Sequence, residues 1–208
     1  MLGFVSGVES YFRSLLARVI NSCHICRIHS AKQSLTLAAI DYYSPEEIGL
    51  GLLENVSFAS EGEIVKQTNR ISGIEIRQGS SLAAAITKFE AVAHLRHAAV
   101  HSGGTLNSKN FTALGLERTD GVVLILRLSE LHAVVGICRA VVRAYNRFLY
   151  VELIKRWVKS GAIEGEWSRD RERFSGLYRL FRSERDGIGP KKPHLAYKQF
   201  RRGVGNAI

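Results

Sequence analysis

Proline is scarce. Three prolines in 208 residues leave long stretches free of the ring that removes a backbone donor and blocks a helix interior. With apolar runs longer than strands, this predicts a helical chain. Cysteine is as sparse: Cys23, Cys26 and Cys138 are an odd count at low density, which argues against a disulfide framework and for a reducing compartment. No run reaches the ~18 consecutive apolar residues of a membrane span. Glu9 and Arg13 interrupt the first apolar stretch, so no secretory signal core is read there. These absences predict a soluble, cytoplasmic protein with no membrane partner. No Gly-rich phosphate loop and no Gly-x-Ser-x-Gly string occurs, so P-loop nucleotidase and serine hydrolase chemistry lack their signatures.

What is present is a globular balance, 46% hydrophobic against 23% charged residues, which excludes wholesale disorder. The net charge of +10 is unevenly spread. Residues 1–154 carry a net of +2, and residues 155–208 carry +8. A basic quarter on a near-neutral body predicts a polyanionic partner, nucleic acid ahead of membrane. A solvated tail is the alternative.

Periodicity places the elements. Ser6 and Glu9 have capping-box spacing, and Val8, Tyr11, Phe12, Leu15, Leu16, Val19 and Ile20 come after them at helical intervals. This predicts a helix from Ser6 to about His29. A shorter helix is expected from Ser34 to Asp41, and Ser44-Pro45-Glu46-Glu47 has the form of a third helix start. Residues 54–80 read as an irregular connection with room for a small helix and with short extended candidates at Val56–Phe58 and Ile74–Arg77. A strong helix is predicted from Ser80 or Ser81 to His101, ended by Gly103-Gly104. After an Asp120-Gly121 turn, Val122–Leu128 reads as a short strand. Ser129 is the expected cap of the longest helix, to about Ser160. Its core stripe includes Leu131, Val134, Val135, Cys138, Val142, Tyr145 and Leu149. Residues 162–208 interleave basic residues with Trp167, Phe174, Tyr178, Phe181, Tyr197 and Phe200. Phe174, Tyr178 and Phe181 suit one helical face.

The densest chemistry lies in His94-Leu95-Arg96-His97-Ala98-Ala99-Val100-His101-Ser102. Ile86, Phe89, Ala93 and Val100 form one narrow apolar stripe. Arg96 lies on one edge, and His97 and His101 lie on the other, with His94 beside them. Arg96 and His101 are about 140° apart around a straight helix. Either the last turn unwinds, or a second copy brings its own Arg96 toward His101 across a two-fold contact.

Arg96, four intervening residues and His101, with Gly103-Gly104 next at a helix end, resemble the Arg-x(4–6)-His signature of HEPN domains (higher eukaryotes and prokaryotes nucleotide-binding). The next helix, with Arg143, Asn146, Arg147, Phe148 and Leu149, looks similar to the helix after that motif in some bacterial members. The likeness spans roughly residues 5–160. In this chain His97 and Ser102 stand where the family commonly has Asn. The resemblance implies an all-α, HEPN-like helical bundle over residues 1–161, with a small strand or irregular insertion. Residues 162–208 would be a basic, aromatic extension packed on it or following it.

The resemblance further implies a homodimeric, metal-independent endoribonuclease without cofactor, in a toxin–antitoxin or antiviral setting with an antitoxin or defence-system partner protein. The catalytic residues would be Arg96, His101 and His97. Histidine moves protons near neutral pH, and a guanidinium fork clamps phosphate. Arg139, Arg143 and Arg147, one turn apart on the long helix, and Asn146 beside them are the candidate RNA-binding residues; a solvated face explains the arginines equally well. A HEPN-like module that binds RNA, a nucleotide or a partner without cleavage is the alternative function, and a basic nucleic-acid-binding scaffold is the third. Cys23-His24-Ile25-Cys26 with His29 has a zinc-knuckle spacing, but a structural zinc site needs four ligands and no second Cys pair exists. The trio His94, His97, His101 has no predicted acid nearby, so no metal is assigned.

Overall fold

Leu2–Ser22 form the first helix, α1, and its buried residues Val5, Val8, Phe12, Leu15, Leu16, Ala17, Val19 and Ile20 cover more than a single stripe. Such a breadth of apolar contact suits a helix surrounded by others. In the computed structural model, which describes residues 1–119, 121–186, 189–190 and 192–204, α1 touches six other helices. In chain order these elements are α2 (His24–Ser30), α3 (Leu37–Tyr42), α4 (Ile48–Gly51), α5 (Glu61–Ser72), α6 (Ser81–His101), α7 (Ser108–Leu114), α8 (Leu128–Lys159), α9 (Trp167–Phe181) and α10 (Pro193–Val204). Those around α1 are α2, α4, α5, α6, α8 and α9. The described residues are mostly helical, and the all-α class stands. Among them no helix is long and apolar enough to cross a membrane.

Several sequence expectations need correction. The first helix starts four residues before Ser6, so Ser6 is not its cap, and Ser57 Oγ donates to Glu9 at 3.0 Å instead. It also stops at Cys23, whose extended backbone (φ −130, ψ 105) separates α1 from α2. The helix expected from Ser34 is α3, which begins after Thr36, whose hydroxyl accepts from the Ala39 N–H. Glu46 and Glu47 precede α4 and do not occupy its first turn. The supposed irregular stretch contains α5. Ser60 caps it by accepting from Glu63 N–H, and Gly73 (φ 64) closes it in the left-handed conformation. Val122–Leu128 is not a strand: pairing with the neighbouring residues 104–106 is limited to a single bridge between Thr105 and Val123, and Leu128 already belongs to α8. Asp120 of the expected turn lies outside the described residues. The longest helix opens one residue earlier than its expected cap. Glu130 performs the capping, accepting from Arg127 N–H and from Ser129 Oγ, both at 2.9 Å.

One hydrophobic cluster joins α1, α2, α5, α6 and α8 to α9 and α10. Residues on both sides of the expected boundary at 161/162 contribute to it, including Trp157, Ile163, Phe174, Leu177 and Tyr197. Tyr145 of α8 is fully buried, and its hydroxyl meets Thr68 Oγ1 of α5 at 2.7 Å. Thr68 Oγ1 itself donates to Ile64 O, so Tyr145 is the donor in that pair.

Asp170 locks the C-terminal helices. It is 1% exposed and accepts from Glu164 N–H (2.9 Å), Gly165 N–H (2.8 Å) and the Tyr197 hydroxyl. Burial opposes its charge, but the hydroxyl and the two amides outweigh it and hold the carboxyl below its usual range. Its contribution to stability is therefore complete above the unfolded carboxyl pKa, about 3.9, and is lost as pH falls through the lower folded value. Asp170→Ala leaves three donors unpartnered and should cost on the order of 3 kcal/mol in urea denaturation. The variant should also lose part of the wild type's destabilisation in strong acid. An unchanged midpoint would show that these bonds do not hold the C-terminal helices.

Candidate functional site at the end of α6

Ser80 starts α6 by accepting from Ala83 N–H, as its sequence position predicts. Leu82, Ala83, Ile86, Phe89, Val92 and Ala93 bind the first four turns into the core. After Ala93 the helix leaves the main cluster. Ala98 is buried, but Val100, expected on the core stripe, is 43% exposed. The reason is α7, which packs against this end of α6. Asn107 and Asn110 cap α7 reciprocally, each side chain accepting from the other's backbone N–H at 3.1 Å. Asn110, buried, also donates Nδ2 to His94 O at 3.2 Å.

The helix end is closed by backbone. Ser102 N–H and Gly104 N–H both donate to Ala98 O at 3.0 Å. Gly103 and Gly104 take φ 56 and φ 89, values at which a side chain is strained. Leu124 N–H then donates to Gly104 O, and Leu106 N–H to Val122 O, fastening the segment that leads to α8.

On this frame the His97 and His101 rings lie 4.6 Å apart, and both side chains are exposed. Arg96 is half-buried. Its Nε is sealed from solvent and has no hydrogen-bond partner among the described residues. No hydrogen bond among those residues joins Arg96 to either imidazole. The structure thus brings the two histidines together, and Arg96 stands apart from them. Glu9 does not reach this site but is held by Ser57. Among the described residues no three His, Cys, Asp or Glu side chains converge as metal ligands.

The second group of candidates lies on α8. Arg139, Arg143 and Arg147 are exposed. Arg139 and Arg143 border a concavity of about 410 Å³ with Phe4, Val8, Cys138 and Asp186. Arg143 pairs with Asp186, which raises the guanidinium's pKa and lowers the carboxyl's. Asn146 accepts from the Tyr11 hydroxyl and donates Nδ2 to Phe181 O, each at 2.8 Å, so its amide ties α1 and α9 to α8.

The Cys23–Cys26 pair is fully buried. Trp157 Nε1 donates to Cys23 Sγ at 3.1 Å. Both thiols are free; the hydrogen bond with Cys26 and that indole N–H, against burial, lower the Cys23 thiol's pKa, and Cys26 is pushed up. Sequence reasoning missed the arginines that act as caps. Arg156 donates to Ser72 O and Gly73 O at the end of α5, and Arg13 to Leu53 O (3.2 Å) and Val56 O (2.7 Å). Comparison with protein-family models, curated proteins and solved structures returns no match.

Asn110→Ala removes the brace under His94. We expect a loss of about 2 kcal/mol and faster amide hydrogen exchange from residues 98–107, with exchange in α1 unchanged. Uniform acceleration throughout the protein would show that α7 belongs to the global folding unit.

Proposed function

We propose that this protein is a HEPN-like, metal-independent endoribonuclease acting as a homodimer, with Arg96, His97 and His101 at its catalytic site. The observation that carries the reading is the end of α6 itself. Two exposed imidazoles 4.6 Å apart share a helix end, closed by two left-handed glycines, with a half-buried guanidinium that is not bonded to them and whose Nε has no partner among the described residues. The Arg-x4-His resemblance supplies the reaction class.

In that reaction the ribose 2′-hydroxyl attacks the adjacent phosphorus and the bond to the 5′-oxygen breaks. A histidine takes the proton from the 2′-hydroxyl, and a histidine returns one to the leaving oxygen. Arg96 clamps the phosphate and stabilises the charge that grows on its oxygens. Arg139 and Arg147 would track the RNA backbone. Arg143 and Asn146, engaged with Asp186 and with Tyr11 and Phe181, are the less available members of that set.

Exposed apolar side chains favour a second copy close to the site. Val100 (43%), Leu116 (52%), Val123 (54%), Ile125 (74%) and Leu128 (69%) all belong to the end of α6 or the segment leading to α8. A contiguous exposed apolar patch marks a contact surface, and these side chains are the face we assign to the dimer. A two-fold contact here would bring Arg96 of each chain toward His101 of the other. A cytoplasmic toxin or antiviral effector, held by an antitoxin or defence partner, is the setting this function implies.

Cleavage of RNA should persist in EDTA, leave a 2′,3′-cyclic phosphate and spare DNA, which lacks the nucleophile. His101→Ala should abolish it while leaving the dimer intact. Activity that vanishes in EDTA and returns with a divalent ion would overturn the mechanism.

A mixing experiment tests the inter-chain pairing. Arg96→Ala and His101→Ala chains, refolded together, give about half mixed dimers, each with one complete inter-chain pair. Roughly a quarter of wild-type activity should return if the pairs act independently. Verified mixed dimers with no activity would overturn independent inter-chain pairs.

A further inference from the structure

A second concavity lies between α2 and α5, in neither the α6 site nor the α8 stripe. It encloses about 630 Å³, and its lining includes His29, Lys32, Lys66, Asn69, Arg70 and Glu75. Its charge is lopsided. Three permanent cations and an imidazole face one carboxylate of the lining, Glu75, and Glu63 partly offsets Lys66 at 2.9 Å.

The basic groups are held in place by the fold. Lys66, Asn69 and Arg70 recur at i, i+3 and i+4 on α5 and so share a face. Arg70 is half-buried and donates Nη2 to Leu52 O at 2.8 Å. Its Nε is sealed from solvent with no hydrogen-bond partner among the described residues. Burial pulls its pKa down, the mark of a guanidinium whose lost hydration is not fully replaced. Gly73, at φ 64, lets the chain lie against the His29 ring: a Cβ there would stand 3.0 Å from both Cε1 and Nδ1. The loop thereby backs the imidazole.

The chemistry of the lining narrows the ligand. No Phe, Tyr or Trp lines the concavity, so a nucleobase would have only the His29 imidazole, already backed by Gly73, to stack on. The volume is that of a small-molecule site, about 300–1,000 Å³. Its walls offer the Arg70 guanidinium, one Nη of which is held by Leu52 O, two lysine point charges and an amide, a donor set that suits phosphate oxygens. A concave basic surface also concentrates the field on a compact anion. We propose that this concavity binds a small oligophosphate, two or more linked phosphate groups, either free or as the tail of a nucleotide.

Inorganic tripolyphosphate is the probe, titrated calorimetrically into the full chain at low ionic strength. We expect saturable one-to-one binding that sulfate at equal ionic strength does not displace. Lys32→Gln/Lys66→Gln changes only exposed side chains, so it should fold normally by circular dichroism and bind at least about tenfold more weakly. Arg70→Gln should weaken binding likewise. Arg96→Ala should bind as the wild type does, which separates this pocket from the α6 site.

ATP titrated in parallel identifies the source. Equal affinity indicates free oligophosphate, and ATP tighter by tenfold or more indicates a nucleotide. The proposal is overturned by absent or non-saturable binding, by wild-type affinity in the double variant, or by loss of binding in Arg96→Ala. Displacement of tripolyphosphate by single-stranded RNA that binds more tightly would overturn the small-ligand assignment.

Discussion

The Phe12 ring is the contact on which the other helices depend. It is fully buried, and besides its neighbour Tyr11 three aromatic rings from other segments meet it: Tyr145 of α8 edge-on at 4.7 Å, Phe58 stacked at 5.9 Å and Phe89 of α6 at 6.3 Å. Full burial of a side chain this size contributes about 1.5–3 kcal/mol. Each well-placed aromatic pair adds roughly 0.5–1.5 kcal/mol. One residue of α1 therefore sets the spacing of α6 and α8 at the level of Phe89 and Tyr145. The site at residues 94–104 begins about one and a half turns further along α6, so its placement depends on this contact.

Polar bonds fix what apolar packing leaves free. The half-buried arginines Arg13, Arg70 and Arg156 all donate to backbone carbonyls, those at the end of α5 and those just after α4. A helix end inside a bundle leaves carbonyls without partners, and a long cationic side chain satisfies them without bringing in another backbone. Positive charge in this chain consequently has two uses. Part of it is structural and half-buried, and part stands exposed on α8 and around the α2–α5 concavity. Net charge alone does not separate the two.

Legibility tracked the strength of local signals. The start and end of α6 were readable because Ser80 and Gly103-Gly104 are strong caps on a long apolar pattern. The long α8 was readable for its length, and the Phe174, Tyr178 and Phe181 face proved to be the buried face of α9. By contrast α5 was hidden by its polarity, although Ser60-x-x-Glu63 and Gly73 were available as signals. Its core face uses Gln67 and Thr68, which are buried through hydrogen bonds to Glu63, Ile64 and Tyr145, and a hydrophobic pattern cannot show such residues. The break at Cys23 carries no glycine or proline. In the site, Arg96, His97 and His101 were named from the sequence together with their helix-end setting. The exchange of Ala98 for Val100 as the buried residue was not visible, because it depends on α7.

That dependence separates stability from site geometry. Ala98 and Phe111 are buried but lie outside the main cluster, so the end of α6 and α7 form a small satellite of the core. Satellites of this kind open at lower free energy than the core to which they are attached. The histidines therefore sit on a segment braced chiefly by the Asn107–Asn110 pair, the His94 carbonyl and the Gly104–Leu124 bond. Arg96, half-buried, is restrained more than the two exposed imidazoles. A phosphate clamp benefits from that restraint, since misplacement of a charged donor weakens its hold on a developing charge. A proton-transfer group must instead remain open to solvent to reset its protonation after each turnover. Under the roles proposed above, the half-buried Arg96 would serve as the restrained clamp and the exposed His97 and His101 as the proton carriers.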